Sequence, residues 1–149
     1  MKIKQILLTG TAWLYFLFFV FGQTTQKADN ILGTWLTENK DGKFEIYKVG
    51  NKYFGKLIWG RTMYEADGIT SKKDDKNPDL KSRLRNLKDL VMLTDFVFED
   101  GIWNQGKIYN PEDGKTYSST IKLENNLLKL RGYIGISLFG KTTTWSRMK

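Results

Sequence analysis

From residue 39 onward, turn-forming residues recur at intervals of roughly eight to twelve positions, the spacing of an all-β meander. They are Asn39-Lys40-Asp41-Gly42, Gly50-Asn51, Asp100-Gly101, Pro111-Glu112-Asp113-Gly114, Asn125-Asn126 and Gly140. Asn, Asp and Gly accept the backbone that tight hairpins demand. Between them lie short segments rich in aromatic and β-branched residues. Eight strands are expected, over Leu32–Thr37, Lys43–Val49, Lys52–Trp59, Leu90–Glu99, Ile102–Asn110, Lys115–Leu123, Leu127–Ile134 and Lys141–Met148. All but one of the links is a tight turn, so neighbours pair antiparallel. An open meander would leave two edges with unpaired backbone groups, and pairing the first strand with the last removes both. The expected fold class is therefore all-β, an eight-stranded up-and-down antiparallel barrel.

Closure has its own residues. Gly33-Thr34-Trp35 opens the first strand and Trp145-Ser146-Arg147 closes the last. With those strands adjacent, the Arg147 guanidinium lies over the Trp35 indole, and Gly33 permits the close approach. Gly33, Trp35, Trp145 and Arg147 are thus the expected closure set.

Period-two alternation sorts inside from outside. Charges fall on one parity of Lys43–Lys48, so Phe44 and Ile46 face inward. Leu128, Leu130, Gly132 and Ile134 oppose Lys129, Arg131 and Tyr133, and Tyr53, Gly55, Leu57 and Trp59 oppose Lys56. Barrels of eight strands are either filled by their own side chains or hold one small ligand. Gly55, Gly106 and Gly132 mark either bends or internal room.

The exceptional link is residues 60–89, carrying Lys72, Lys73, Lys76, Lys81, Arg83, Arg85 and Lys88 among Asp74, Asp75, Asp79 and Asp89. Asn77-Pro78-Asp79 can start a short helix through Leu80, Leu84 and Leu87. A loop or short helix of this length in a compact domain is expected to bind something or to lid one barrel end, its leucines plugging that end.

Residues 1–22 read as a signal peptide: Lys2 and Lys4, an apolar run from Ile6 to Phe21, and small or β-branched residues up to Gly22. A polar lead-in, 23–30, precedes the barrel domain, 31–149. Without Lys2 and Lys4 the formal charge falls from +8 to +6, a balance suited to an anionic membrane surface or envelope polymer. The chain has no Cys and no His. Disulfide stapling, Ser-His-Asp or Cys-His catalysis and His- or Cys-ligated metal centres are thereby excluded. No dinucleotide or phosphate-loop pattern follows a strand, and no nucleic-acid motif is present. No catalytic residue, metal or cofactor is assigned.

Gly-x-Trp with a closing Arg resembles lipocalins and their calycin relatives. More specifically, Ile31-Leu32-Gly33-Thr34-Trp35, Tyr53-Phe54-Gly55-Lys56, Asn77-Pro78-Asp79, Tyr109–Tyr117, Leu130–Gly135 and Gly140–Arg147 resemble the bacterial family DUF2147. The resemblance spans the chain after the signal peptide and implies a calycin-like, lipocalin-type barrel behind an export signal; it carries no activity. Where that family's Arg-x-Arg precedes Pro, this chain has Arg83-Leu84-Arg85-Asn86.

These features imply a non-enzymatic barrel, exported to the periplasm or beyond, that binds a small hydrophobic or lipid-like amphiphilic ligand. The expected contacts are Phe44, Ile46, Tyr53, Leu57, Trp59 and Leu130 inside, with Arg83 or Arg85 meeting an acidic headgroup. The alternative is a filled barrel serving as scaffold, its basic loop 60–89 binding an envelope protein or anionic polymer.

Overall fold

The computed structural model describes residues 27–149; the expected signal peptide lies outside the described residues. Eight strands run in chain order around a closed barrel: β1 (Gly33–Leu36), β2 (Gly42–Val49), β3 (Lys52–Gly60), β4 (Val91–Glu99), β5 (Ile102–Asn110), β6 (Lys115–Glu124), β7 (Leu127–Tyr133) and β8 (Lys141–Arg147). Each pairs antiparallel with the next, and β1 pairs with β8 through Trp35 opposite Arg147 and Leu36 opposite Ser146. The hairpins match the expected turn chemistry. Asp100, Asn125 and Asn126 adopt positive φ, as the tight β4–β5 and β6–β7 links require.

The two ends differ. At the end formed by the β2–β3, β4–β5 and β6–β7 turns, Ala28–Ile31 makes a 3-10 turn that packs beneath the barrel. The indole N–H of Trp35 donates to the Ile31 carbonyl (2.8 Å), and that of Trp103 to the Ala28 carbonyl (3.1 Å). The Tyr53 hydroxyl donates to Asp29 (2.5 Å), as does the Lys48 ammonium (2.8 Å). Ala28–Asn30, expected as the tail of a lead-in, is therefore part of the seal. Above it Trp35, Trp103, Phe96, Ile121 and Leu128 are buried completely or nearly so. Each contributes on the order of 2 kcal/mol through removal of apolar surface from water.

The strand glycines divide by position. A Cβ on Gly106 would lie 2.3 Å from the Phe96 ring, and one on Gly55 would lie 2.7 Å from Leu93. Both sit beside register shifts, and Gln105 takes φ 58° at the β5 irregularity. They are bends whose space a neighbouring side chain has filled. Gly132 has only ordinary contacts, with Ile108 Cγ2 at 3.5 Å.

Two inward assignments are corrected. A bulge between Lys43 and Phe44, in register with Trp59 and Leu57, shifts the parity at the end of β3. Gly60 then faces in, and Trp59 lies outside under the Lys43 ammonium (5.3 Å to the ring centroid). Ile134 lies beyond the end of β7 and is exposed.

The expected helix after Pro78 is also corrected to a single 3-10 turn, Ser82–Leu84. Asn77 and Asp79 act instead as turn acceptors for the backbone N–H groups of Asp79 and Lys81. Leu80 and Leu84 are 70% and 78% exposed, so there is no apolar helical stripe, and of the three leucines only Leu87 packs against the core. The insertion is held by Asp74, wholly buried, whose carboxylate accepts from Tyr109 Oη (2.5 Å), Arg85 Nη2 (2.9 Å) and Asn77 Nδ2 (2.9 Å). Burial, and then donation to Asp74, push the Tyr109 phenol up to about 12.

Candidate functional site

Toward the opposite end the interior is not filled. A largely apolar cup of about 450 Å³ opens there, among the β1–β2, β5–β6 and β7–β8 links. Phe44, Ile108, Leu130 and Trp145 supply its apolar wall; Thr37, Asn110, Tyr117 and Thr143 are among its polar positions, and the carboxylates of Glu38 and Asp41 also belong to its lining. Trp145 stacks on Phe44 at 4.7 Å between ring centroids, forming an aromatic patch in the wall. Gly132 lines the same space. A second cavity of about 780 Å³ lies beneath the insertion and shares Thr37, Asp41, Phe44 and Asn110 with the first. Its walls mix Leu57, Met63, Leu87 and Met92 with Arg61, Lys72, Lys73, Lys76, Glu65, Asp75 and Glu112.

Strand β8 explains how cup and seal are built together. Its alternate residues Lys141, Thr143, Trp145 and Arg147 share one parity, and they pass from mouth to cup to seal. At the seal the Arg147 guanidinium lies 4.2 Å from the Trp35 ring centroid. It donates to the Leu32 carbonyl (2.8 Å), to the Asn30 carbonyl and to Asn126 Oδ1 (3.1 Å). Burial pulls its pKa below the ordinary arginine value. Gly33, at φ 121°, is where a side chain would meet that guanidinium, with Cβ 3.1 Å from Nη1. Gly33, Trp35 and Arg147 thus form the closure. Trp145 does not: its ring belongs to the cup wall, because it sits one inward step nearer the mouth.

Several hydroxyls of the cup are already engaged. Tyr117 Oη donates to Asp113 (2.6 Å), which raises the phenol's pKa and lowers that of the carboxyl. Thr37 Oγ1 donates to Asp41 (2.6 Å), and Thr143 Oγ1 accepts the Trp145 indole N–H (2.9 Å). They shape the wall while leaving its apolar surface dominant. The exposed ammonium of Lys141 stands at the mouth.

Of the residues expected to contact a ligand, Phe44 and Leu130 line the cup, and Phe44 and Leu57 line the adjoining cavity. Ile46 and Tyr53 are buried in the packed half, Tyr53 edge-on to Trp103. Trp59 lies outside. Arg83 and Arg85 are not brought to the cup: Arg83 Nε donates to the Asn77 carbonyl (2.7 Å), and Arg85 pairs with Asp74. Ile108, Tyr117, Thr143 and Lys141 were missed. The parity of β8 and of Tyr117–Ser119–Ile121 carried that signal, whereas the irregularity at Gln105 hid Ile108.

A closed eight-stranded barrel, sealed by Trp and Arg at one end and hollow toward the other, defines a lipocalin-like protein with room for one small ligand. The chain belongs to the family described as "Uncharacterized protein conserved in bacteria (DUF2147)", whose model matches residues 33–147. Among solved structures it is similar to protein HP1028 from the human pathogen Helicobacter pylori, which belongs to the lipocalin family. The two share 30% identity at a TM-score of 0.68, over 79% of this chain and 82% of that one. Comparison with curated proteins gives no match.

Proposed function

We propose that this protein is an exported, non-enzymatic carrier or sensor that holds one small amphiphile in the cup. Its apolar part lies against Phe44, Ile108, Leu130 and Trp145, and an acidic head meets Lys141 at the mouth. The observation that carries this reading is the uneven filling of the barrel: aromatic packing closes one half, and an apolar space of about 450 Å³ remains in the other. That volume falls within the usual range for small-molecule sites, which are apolar with a few polar anchors. The adjoining cavity under the insertion offers a polar extension with both signs of charge, suited to a larger head.

The test is native mass spectrometry of protein taken gently from its host, followed by titration of delipidated protein with fluorescent fatty-acid analogues. The expected result is one released amphiphile per chain and saturable binding. Gly132→Phe, which fills the cup, should weaken binding about tenfold or more. Absence of a released molecule together with absence of saturable uptake would refute the reading.

A further inference from the structure

Exposed apolar side chains are unevenly distributed over this molecule. The β7–β8 link presents Ile134, Ile136, Leu138 and Phe139, exposed by 59 to 81%, and the insertion presents Leu80 and Leu84. Both links lie at the open end, because each joins a strand ending there to one beginning there. Soluble proteins scatter such residues singly; a set gathered around a cavity mouth marks a contact surface.

The β7–β8 loop is built to hold these side chains out. Arg131, on the outer face of β7, donates from Nε to the Ser137 carbonyl (2.8 Å), from Nη2 to the Leu138 carbonyl (3.1 Å) and from Nη1 to Thr142 Oγ1 (2.9 Å). The Gly140 N–H also donates to the Ser137 carbonyl (3.1 Å). A Cβ at Gly140 would lie 2.7 Å from the Gly132 carbonyl, so the tight return onto the sheet requires glycine. Loop carbonyls that would be costly to bring into an apolar environment are thereby partnered from within.

Charge identifies what the surface meets. Residues 131–141 contain Arg131 and Lys141 and no acid, and Leu80 and Leu84 stand in a stretch, residues 72–88, of seven basic against three acidic side chains. The acids Glu65, Asp67 and Asp89 lie elsewhere in the insertion, and Glu38, Asp41, Glu112 and Asp113 in the β1–β2 and β5–β6 links. Apolar tips set within cationic segments match the interface of an anionic bilayer, where aliphatic and aromatic groups enter the acyl boundary and Lys and Arg meet phosphates. We propose that the open end docks mouth-down on an anionic lipid surface, with Ile134–Phe139 inserted and Leu80 and Leu84 as a second contact. Such a pose would put the cup mouth against the source of its amphiphile. The proposal rests on the loops and not on what the cup holds.

The described residues, 27–149, hold all eight strands of the closed barrel, and that segment is the protein to test. The chain has no Cys, so Phe139→Cys, Leu84→Cys and, at the sealed end, Val49→Cys can each be labelled with a polarity-sensitive fluorophore. Vesicles of phosphatidylcholine with phosphatidylglycerol should blue-shift the probes at 139 and 84 and leave that at 49 unchanged. The unlabelled Leu138→Asp/Phe139→Asp variant should partition onto them about tenfold or more less tightly, with an unchanged melting temperature and unchanged uptake of a soluble fatty-acid analogue. Equal response at 49, equal partition of the variant, or binding indifferent to phosphatidylglycerol would overturn the proposal. So would sedimentation showing that the same loop drives pairing of two chains. Uptake without docking defeats this inference alone, and docking without uptake defeats only the carrier reading.

Discussion

Replacing Trp35 with alanine should be the most damaging single change at the sealed end. Trp35 is completely buried, its ring carries the Arg147 guanidinium at 4.2 Å, and its N–H satisfies the Ile31 carbonyl. Truncating a buried Trp typically costs about 3 to 5 kcal/mol in lost transfer energy and residual cavity. Leaving the Ile31 carbonyl without its donor places the expectation in the upper part of that range, about 4 kcal/mol. For a domain of roughly 120 residues the unfolding entropy is about 0.25 kcal/mol/K, so the melting temperature should fall by about 15 °C. The assay is urea unfolding followed by far-ultraviolet circular dichroism, because the substitution removes a fluorophore, with the denaturant slope checked for constancy. Arg147→Met and the double variant complete a cycle whose coupling should be about 1 kcal/mol, the scale of a shielded cation–aromatic contact. If Trp35→Ala loses less than about 1 kcal/mol and the two changes add, the closure argument is wrong.

Two further predictions concern the wall of the barrel. Gly106→Ala would drive a methyl group into Phe96, 2.3 Å away, and should destabilise by about 2 kcal/mol or more; Phe96→Leu in the same chain should recover part of that loss. Tyr109 makes stability sensitive to alkali: its phenol is raised from 10.0 to about 12 by burial and by donation to Asp74. Between those values the folded state retains a proton that the unfolded chain releases, so the contribution is fully present below about pH 10 and is lost as pH rises toward 12. Urea midpoints measured across that window should fall less steeply in Tyr109→Phe than in the parent, and parallel slopes would dissociate the phenol from the Asp74 latch.

The meander was legible because its determinants are local. Asn125-Asn126 and Asp100-Gly101 announce hairpins by their own backbone preferences, and the observed strand ends fall within a residue or two of the expected ones. The Trp35–Arg147 contact was legible for a different reason: closure of any such meander juxtaposes its first and last strands. What escaped notice depended on irregularity or on tertiary burial. One bulge turned Trp59 outward, and the left-handed Gln105 obscured the parity that brings Ile108 to the cup. The arginines of the insertion looked like ligand anchors because charge runs are visible in sequence, whereas their commitment to Asn77 and Asp74 is a fact of folding.

The same ambiguity, resolved in opposite directions, decides whether this barrel can hold anything. Gly106 and Gly132 both interrupt strands, and sequence assigns both the same two meanings. At Gly106 the missing side chain is replaced by the Phe96 ring, so its space belongs to the packed half and contributes stability. At Gly132 neighbours stand off at ordinary contact distance and the residue lines the cup. The packed half carries Trp35, Trp103, Phe96 and Leu128, each almost wholly buried. A fold anchored there can leave its other half open without losing its principal packing. Stability and ligand capacity are thus assigned to different layers of one barrel. Filling the layer at Gly132 should change binding far more than melting, and disturbing the layer at Gly106 should do the reverse.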